Sequence, residues 1–215
     1  QHNPSNYFAL TNQNLSAEDA KRIVDDIKDI NLGDGVTFEV KEVSNIMDEM
    51  EYPGIRFIMN AVMGKLVTPM KIDISTGDVI TPRAIEYKYK LLLDDRSISL
   101  WSYNLETILA EKLQTVLARG LLNTRMRDFY DIKTLLSIYE QDIDADVLKK
   151  AFEATCKKRS TENLKEEAPK IMAAVSDDVQ LHTLWKSYQK KYPYAVDISY
   201  EDIIESTQLL WSKIQ

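Results

Sequence analysis

WSYNLETILAEKLQTVLARG, Trp101 to Gly120, holds the change of period that decides the fold. Upstream of it, apolar and polar residues alternate, as in strands with one buried face. From Asn104 onward apolar residues recur every third or fourth position, as along one side of a helix. Asn104 stands where an N-cap belongs, and Gly120 where a C-terminal glycine ends a helix.

Working back from this point, Val36, Phe38 and Val40 alternate with polar residues and read as a half-buried strand. A turn at Tyr52-Pro-Gly54 leads to a second strand with Ile55, Phe57, Met59 and Ala61 on one face. Residues 70–75 make a third, and residues 85–93 and 98–103 are expected to extend the same sheet. One helix interrupts this half: Ser16 is its N-cap, and Ala20, Ile23, Val24, Ile27 and Ile30 follow at helical spacing. Working forward, helices are expected near 125–139, 146–156, 162–174, 177–191 and 200–214. The fold class is α+β: a mixed sheet region over 1–103, then an all-helical region over 104–215.

Composition narrows the chemistry. The 215 residues carry 27 Lys+Arg against 34 Asp+Glu, a formal net charge of −7, which argues against broad nucleic-acid binding but allows a local basic patch. Cys156 is the sole cysteine, so no internal disulfide forms and a cytoplasmic location is expected. With His2 and His182 as the only histidines, a Cys/His zinc site is out of reach and a Ser-His-Asp array would rest on His182. No run approaches the roughly 20 apolar residues of a membrane span. The start, QHNPSNYFALTNQ, lacks the basic and apolar regions of a leader peptide. Neither G-x-x-x-x-G-K-[ST] nor G-x-G-x-x-G occurs. Carboxylates, lysines and arginines are left to carry any catalysis.

Several of these stand in unexpected places. In the strand Met70-Lys-Ile-Asp-Ile-Ser75, period two puts Lys71, Asp73 and Ser75 on the face opposite Met70, Ile72 and Ile74. Asp73 is either part of a solvated face or a carboxylate displayed for a hard cation. At about 100° per residue, Lys112 falls in the middle of the apolar arc of Leu105, Ile108, Leu109 and Val116. Such a lysine must snorkel to water, meet an anion or serve a ligand. On the next helix Asp128 and Asp131 share the face of Ile132, Leu135 and Tyr139. Arg119, Arg125 and Arg127 lie between these helices, either as solvated loop residues or as phosphate receivers. Asp142, Asp144 and Asp146 imitate a calcium loop, but Val147 stands where glycine is required, so they read as helix caps. Lys157-Lys158-Arg159 reads as a solvated helix end. Trp185, Tyr188, Tyr192 and Tyr194 interleave with Lys186, Lys190 and Lys191; the pattern suits stacking on nucleic acid, but a helix-packing face accounts for it better.

The runs KIDISTGDVITPRAIEY (Lys71 to Tyr87), YNLETILAEKLQTVLARG (Tyr103 to Gly120) and NTRMRDFYDI (Asn123 to Ile132), in this order, resemble the AbiEii-type nucleotidyltransferase toxins of bacterial abortive-infection toxin–antitoxin systems. The resemblance is strongest from about Met70 to Leu135. It implies a DNA-polymerase-β-like nucleotidyltransferase core. It also implies transfer of a nucleoside monophosphate from an NTP to an acceptor, tRNA or another RNA, with Mg2+ or Mn2+ and release of pyrophosphate. Asp73 would be the third strand carboxylate and a metal ligand. Lys112 would contact the triphosphate, and Asp128 would be its acidic partner. Asp131 would assist or support the fold, and Lys71, Arg119, Arg125 and Arg127 would bind substrate. A cognate antitoxin is the implied protein partner. The family's D-x-D strand, which bears the principal metal ligands, has no counterpart before Met70. Part of the family pattern is expected to be missing before or within the first ten residues, through truncation, an omitted segment or natural loss. A non-catalytic module that binds nucleotide, RNA or antitoxin is the alternative.

Overall fold

The computed structural model describes residues 6–11, 16–46, 54–76, 79–92 and 95–215. The chain divides into two compact units, residues 1–78 and 79–215. The division thus falls upstream of the change of period at Asn104.

In the first unit the described strands are β1 (Asn6–Thr11), β2 (Val36–Ile46), β3 (Gly54–Met63) and β4 (Leu66–Thr76), with helix α1 (Ala17–Lys28) between β1 and β2. They form one sheet in the order β1-β4-β3-β2. β1 runs parallel to β4, and the other pairings are antiparallel. β1 was not foreseen from the sequence. The β3–β4 hairpin turns at Gly64-Lys65, where Gly64 has φ +59°, a conformation glycine adopts without a Cβ clash. The alternation read in β3 is real: Ile55, Phe57 and Met59 are buried together with Ile74 of β4 and with Ala20 and Val24 of α1. Ser16 caps α1 by accepting from the Asp19 amide at 3.1 Å. Of the apolar stripe read on α1, Ala20 and Val24 enter this core, whereas Ile23, Ile27 and Ile30 stay exposed.

The second unit begins with the hairpin β5 (Ile85–Lys90) and β6 (Ser97–Ser102), a separate two-stranded sheet rather than an extension of the first. Six helices follow: α2 (Leu105–Arg119), α3 (Met126–Tyr139), α4 (Ala145–Lys158), α5 (Leu164–Ser176), α6 (Val179–Lys191) and α7 (Tyr200–Ser212). α2 is the central rod, packed against α3, α4, α5 and α7. Its Leu109, Leu113 and Leu117 are buried against Phe129, Phe152 and Ile203 from its neighbours.

The start of α2 is pinned by buried polar bonds. Asn104 occupies the N-cap position but makes no side-chain cap bond. Its Nδ2 donates instead to the Thr81 carbonyl at 2.8 Å and to Glu106 Oε2 at 2.7 Å. Glu106 Oε1 accepts from the Asp144 amide at 3.2 Å, tying α2 to the start of α4. Asp144 caps α4 by accepting from the amides of Asp146 and Val147, so the D-x-D-x-D run is a helix cap, as read.

Candidate functional site

Lys112 and the two inward acids of α3 meet in the second unit. Helical spacing sets Asp128 and Asp131 one turn apart on the side of α3 that faces α2. The Lys112 ammonium lies 2.6 Å from Asp131 Oδ2 and 3.3 Å from Asp128 Oδ1. Of the three sequence options for Lys112, the anionic partner is the one adopted. Arg125 Nε stands 2.9 Å from Asp128 Oδ2, and Arg127 Nε 3.7 Å from Asp131 Oδ2. The Asn123 side-chain oxygen accepts from the Arg125 amide at 2.9 Å and shapes the entry to α3.

Lys112, Arg125 and Arg127 gather around the carboxylates of Asp128 and Asp131. Burial is graded: the Asp128 side chain is 4% exposed, that of Lys112 21% and that of Arg127 77%. The buried acid therefore anchors, while the cations reach toward water. Such a cluster can receive an anion such as phosphate without forcing a bare charge into the core. Arg119 lies in the last turn of α2, two helical turns beyond Lys112 and on the same side.

Lys71 and Asp73 belong to the first unit. Asp73 is paired in register with Phe8 of β1 on one side and with Arg56 of β3 on the other. Arg56 grips it as a fork, Nε to Oδ1 at 2.7 Å and Nη2 to Oδ2 at 2.8 Å. This hydrogen bonding raises the already high pKa of the Arg56 guanidinium. Lys71 is exposed on the same strand face. Arg56 escaped the sequence reading, although the hairpin holds the signal. Counting seven residues outward in each strand from the Met63–Leu66 pair reaches Arg56 and Asp73.

The expected magnesium can be tested against these donors. A hard divalent cation takes several oxygen ligands, usually with more than one carboxylate. Both Asp73 oxygens are held by Arg56, and neither neighbouring strand, β1 nor β3, contains Asp, Glu, His or Cys. Asp128 and Asp131 are held by Lys112, Arg125 and Arg127. Among the described residues no three His, Cys, Asp or Glu side chains converge as a metal site. The described donor set by itself does not fit the metal.

The remaining reactive side chains have local duties. The His182 ring packs on Tyr200 at 3.8 Å between centroids. Cys156 is buried, and burial pushes its thiol up to about 11. It is therefore protonated and weakly nucleophilic at neutral pH. Among the described residues no helix is long and apolar enough to cross a membrane.

The family model described as nucleotidyl transferase AbiEii toxin, type IV TA system, matches residues 8–206. No curated protein matches the sequence. Among solved structures, a candidate nucleotidyltransferase from Helicobacter pylori is 17% identical, with 84% of this chain and 69% of that chain covered and a TM-score of 0.37. JHP933 from Helicobacter pylori is 16% identical, with 97% and 75% covered and a TM-score of 0.40.

Proposed function

For a chain that belongs to the AbiEii nucleotidyl transferase toxin family of type IV toxin–antitoxin systems, we propose transfer of a nucleoside monophosphate from an NTP to an RNA acceptor, tRNA being the leading candidate. The observation that carries the reading is the convergence of Lys112, Arg125 and Arg127 around Asp128 and Asp131, with Arg127 reaching into solvent. Transfer at phosphorus asks a protein mainly for positioning and for neutralisation of charge. In this reading Lys112 and the arginines bind the triphosphate. Asp128 and Asp131 hold Lys112 at a fixed point, so that its ammonium is aimed before substrate arrives. An acceptor hydroxyl oxygen bonds to the α-phosphorus, and the α–β bridging bond breaks. Pyrophosphate then leaves while the hydroxyl proton passes to water. Lys71 and Asp73 are assigned to substrate binding and catalysis in the same reading. The same reading requires magnesium or manganese, which the chelator arm of the experiment below tests. A cognate antitoxin is the proposed protein partner.

A second reading, a module that binds nucleotide, RNA or antitoxin without chemistry, is favoured by the fork of Arg56 on Asp73. One experiment separates the two. The chain is incubated with each α-labelled NTP and total tRNA, with magnesium or with a chelator. Label in RNA that falls at least a hundredfold in Lys112→Ala supports transfer. Lys112-dependent NTP binding without label in RNA under any condition overturns transfer and leaves the binding module. Label from γ-labelled ATP but not from α-labelled ATP would instead identify a phosphate-transferring kinase.

A further inference from the structure

The aromatic run that the sequence suggested was helix packing is only partly that. Trp185 is 1% exposed and stacks on Tyr188 with ring centroids 5.3 Å apart, which is the packing role. Beyond Tyr188 the rings continue outward. Tyr192 lies 4.6 Å from Tyr188 and 5.4 Å from Tyr194, the latter pair stacked at 28°. Tyr194 in turn meets Tyr130 of α3 at 4.8 Å. The Tyr188 and Tyr194 hydroxyls share a hydrogen bond at 3.0 Å, which fixes the two rings relative to each other. Tyr194 is 45% exposed, so the aromatic cluster that rests on Trp185 through Tyr188 opens to solvent.

Its electrostatic setting differs from that of the chain as a whole. Residues 179–196 contain Lys186, Lys190 and Lys191 and no Asp or Glu, in a protein of net charge −7. All three lysines are exposed, and the Lys191 ammonium sits 5.3 Å from the Tyr192 ring centroid. Tyr130 directly precedes Asp131, which binds Lys112, and both Arg127 and Asp131 act electrostatically on Tyr188. The aromatic surface therefore begins beside the proposed triphosphate cluster. The Tyr192–Tyr194 stack, with the tilted Tyr130 ring beside it and lysines facing solvent, suits unpaired nucleobases and their phosphates, since every base has a π-face and duplex bases are already stacked. An acidic protein segment would use the lysines but not the ring faces.

We infer that Tyr130, Tyr192 and Tyr194 form a stacking platform for the unpaired end of a single-stranded RNA, with Lys190 and Lys191 on its phosphates. As the acceptor's seat, the platform rests on the transfer reading above; as an RNA site it stands in the binding-module reading too. The test is fluorescence anisotropy of the full chain with a short labelled single-stranded oligoribonucleotide, without NTP or metal. Tyr194→Phe keeps a ring and is expected to bind within about twofold of the parent. Tyr194→Leu keeps apolar bulk without a π-face and is expected to lose about tenfold. Replacing both Lys190 and Lys191 with Ala is expected to flatten the salt dependence by about 0.7 in log–log slope for each lysine. The proposal is overturned if the parent chain does not bind, if Tyr194→Leu binds as tightly as the parent, or if poly-glutamate displaces the RNA as well as unlabelled RNA does. Should leucine at 194 unfold the helical unit, the exposed lysine pair decides: an unchanged affinity and salt slope overturn it. RNA binding without label transfer removes the enzyme reading and leaves the platform. Label transfer with a Tyr194→Leu chain that binds RNA normally does the reverse.

Discussion

Each unit turns a carboxylate inward and neutralises it, but the sheet and the helices do so in different ways. In the sheet, one aspartate meets one arginine: Asp73 and Arg56 form a planar fork that leaves no net charge. In the helices, two aspartates share three cations, and the outermost, Arg127, is 77% exposed. The difference teaches where an anionic substrate can be received. A matched fork is satisfied and closed, whereas a cluster whose outer cation, Arg127, stands in solvent can still turn toward a phosphate. The two cores differ as well. The sheet unit rests on a small cluster centred on Phe57, while the helical unit distributes its core over α2 and the helices around it.

That contrast in core size sets the largest expected effect. Phe57→Ala removes a fully buried ring and should cost about 3–5 kcal/mol. With so few partners to collapse around the void, the sheet unit should open while the helices remain. Hydrogen exchange should then show protection lost over β2–β4 and kept in α2–α4. Leu113→Ala in the helical unit should cost roughly 2–4 kcal/mol with no such local opening. Protection lost equally in both units after Phe57→Ala would break the comparison.

The ion pairs sharpen it next. Arg56→Met removes both donors from the Asp73 carboxylate. Breaking a buried pair costs about 3–5 kcal/mol. Because the Arg56 side chain is 37% exposed, solvent screening reduces this expectation to roughly 2 kcal/mol. Lys112→Met should cost less, about 1 kcal/mol, because Asp128 keeps Arg125 and Asp131 keeps Arg127. Binding should reverse that order: NTP affinity should fall at least tenfold in Lys112→Met and hardly at all in Arg56→Met. Urea melts and NTP titrations of both variants measure this. An Arg56 variant that loses NTP affinity as Lys112→Met does would move the anion site to the sheet.

The same contrast explains how far the sequence could be read. Period changes revealed the helices, because a buried stripe of leucines on α2 leaves its mark every third or fourth residue. The inward Lys112, Asp128 and Asp131 were visible for the same reason: each interrupts a stripe. Arg56 interrupts nothing, since a polar face on a strand looks the same whether or not a partner stands opposite. Its role depended on a register set by the Gly64-Lys65 turn, which lacks the Asn-Gly or Asp-Gly signature of a tight hairpin. β1 was hidden because a short strand with few alternations resembles any apolar run. The hairpin β5–β6 was recognised as strands, but which sheet they join depends on contacts remote in sequence. The tyrosine platform was legible as composition, whereas its division into a buried Trp185 and an exposed Tyr194 was not.

The smallest effect compares one short motif used in both units. Ser16-Ala-Glu-Asp19 opens α1 and Ser199-Tyr-Glu-Asp202 opens α7. In both, the serine oxygen accepts from the amide three residues on, at 3.1 Å in α1 and 3.0 Å in α7. Only α7 is described with the full reciprocal box: Asp202 Oδ2 also accepts from the Ser199 amide at 2.8 Å. Hydrogen bonds from the Ser199 hydroxyl and amide hold the Asp202 carboxyl below its ordinary value of 3.8. A lowered folded-state pKa means that the unfolded chain takes up the proton first on acidification. The stabilisation is therefore complete above pH 3.8 and fades as the pH falls through the folded-state value. Ser199→Ala should cost about 0.5–1 kcal/mol at neutral pH. It should also remove part of the acid sensitivity of the helical unit, so that parent and variant converge at low pH. Thermal melts from neutral pH down to pH 2.5 would show the convergence. A constant gap between the two across that range would mean that the serine stabilises α7 as a simple cap, without the charge on Asp202.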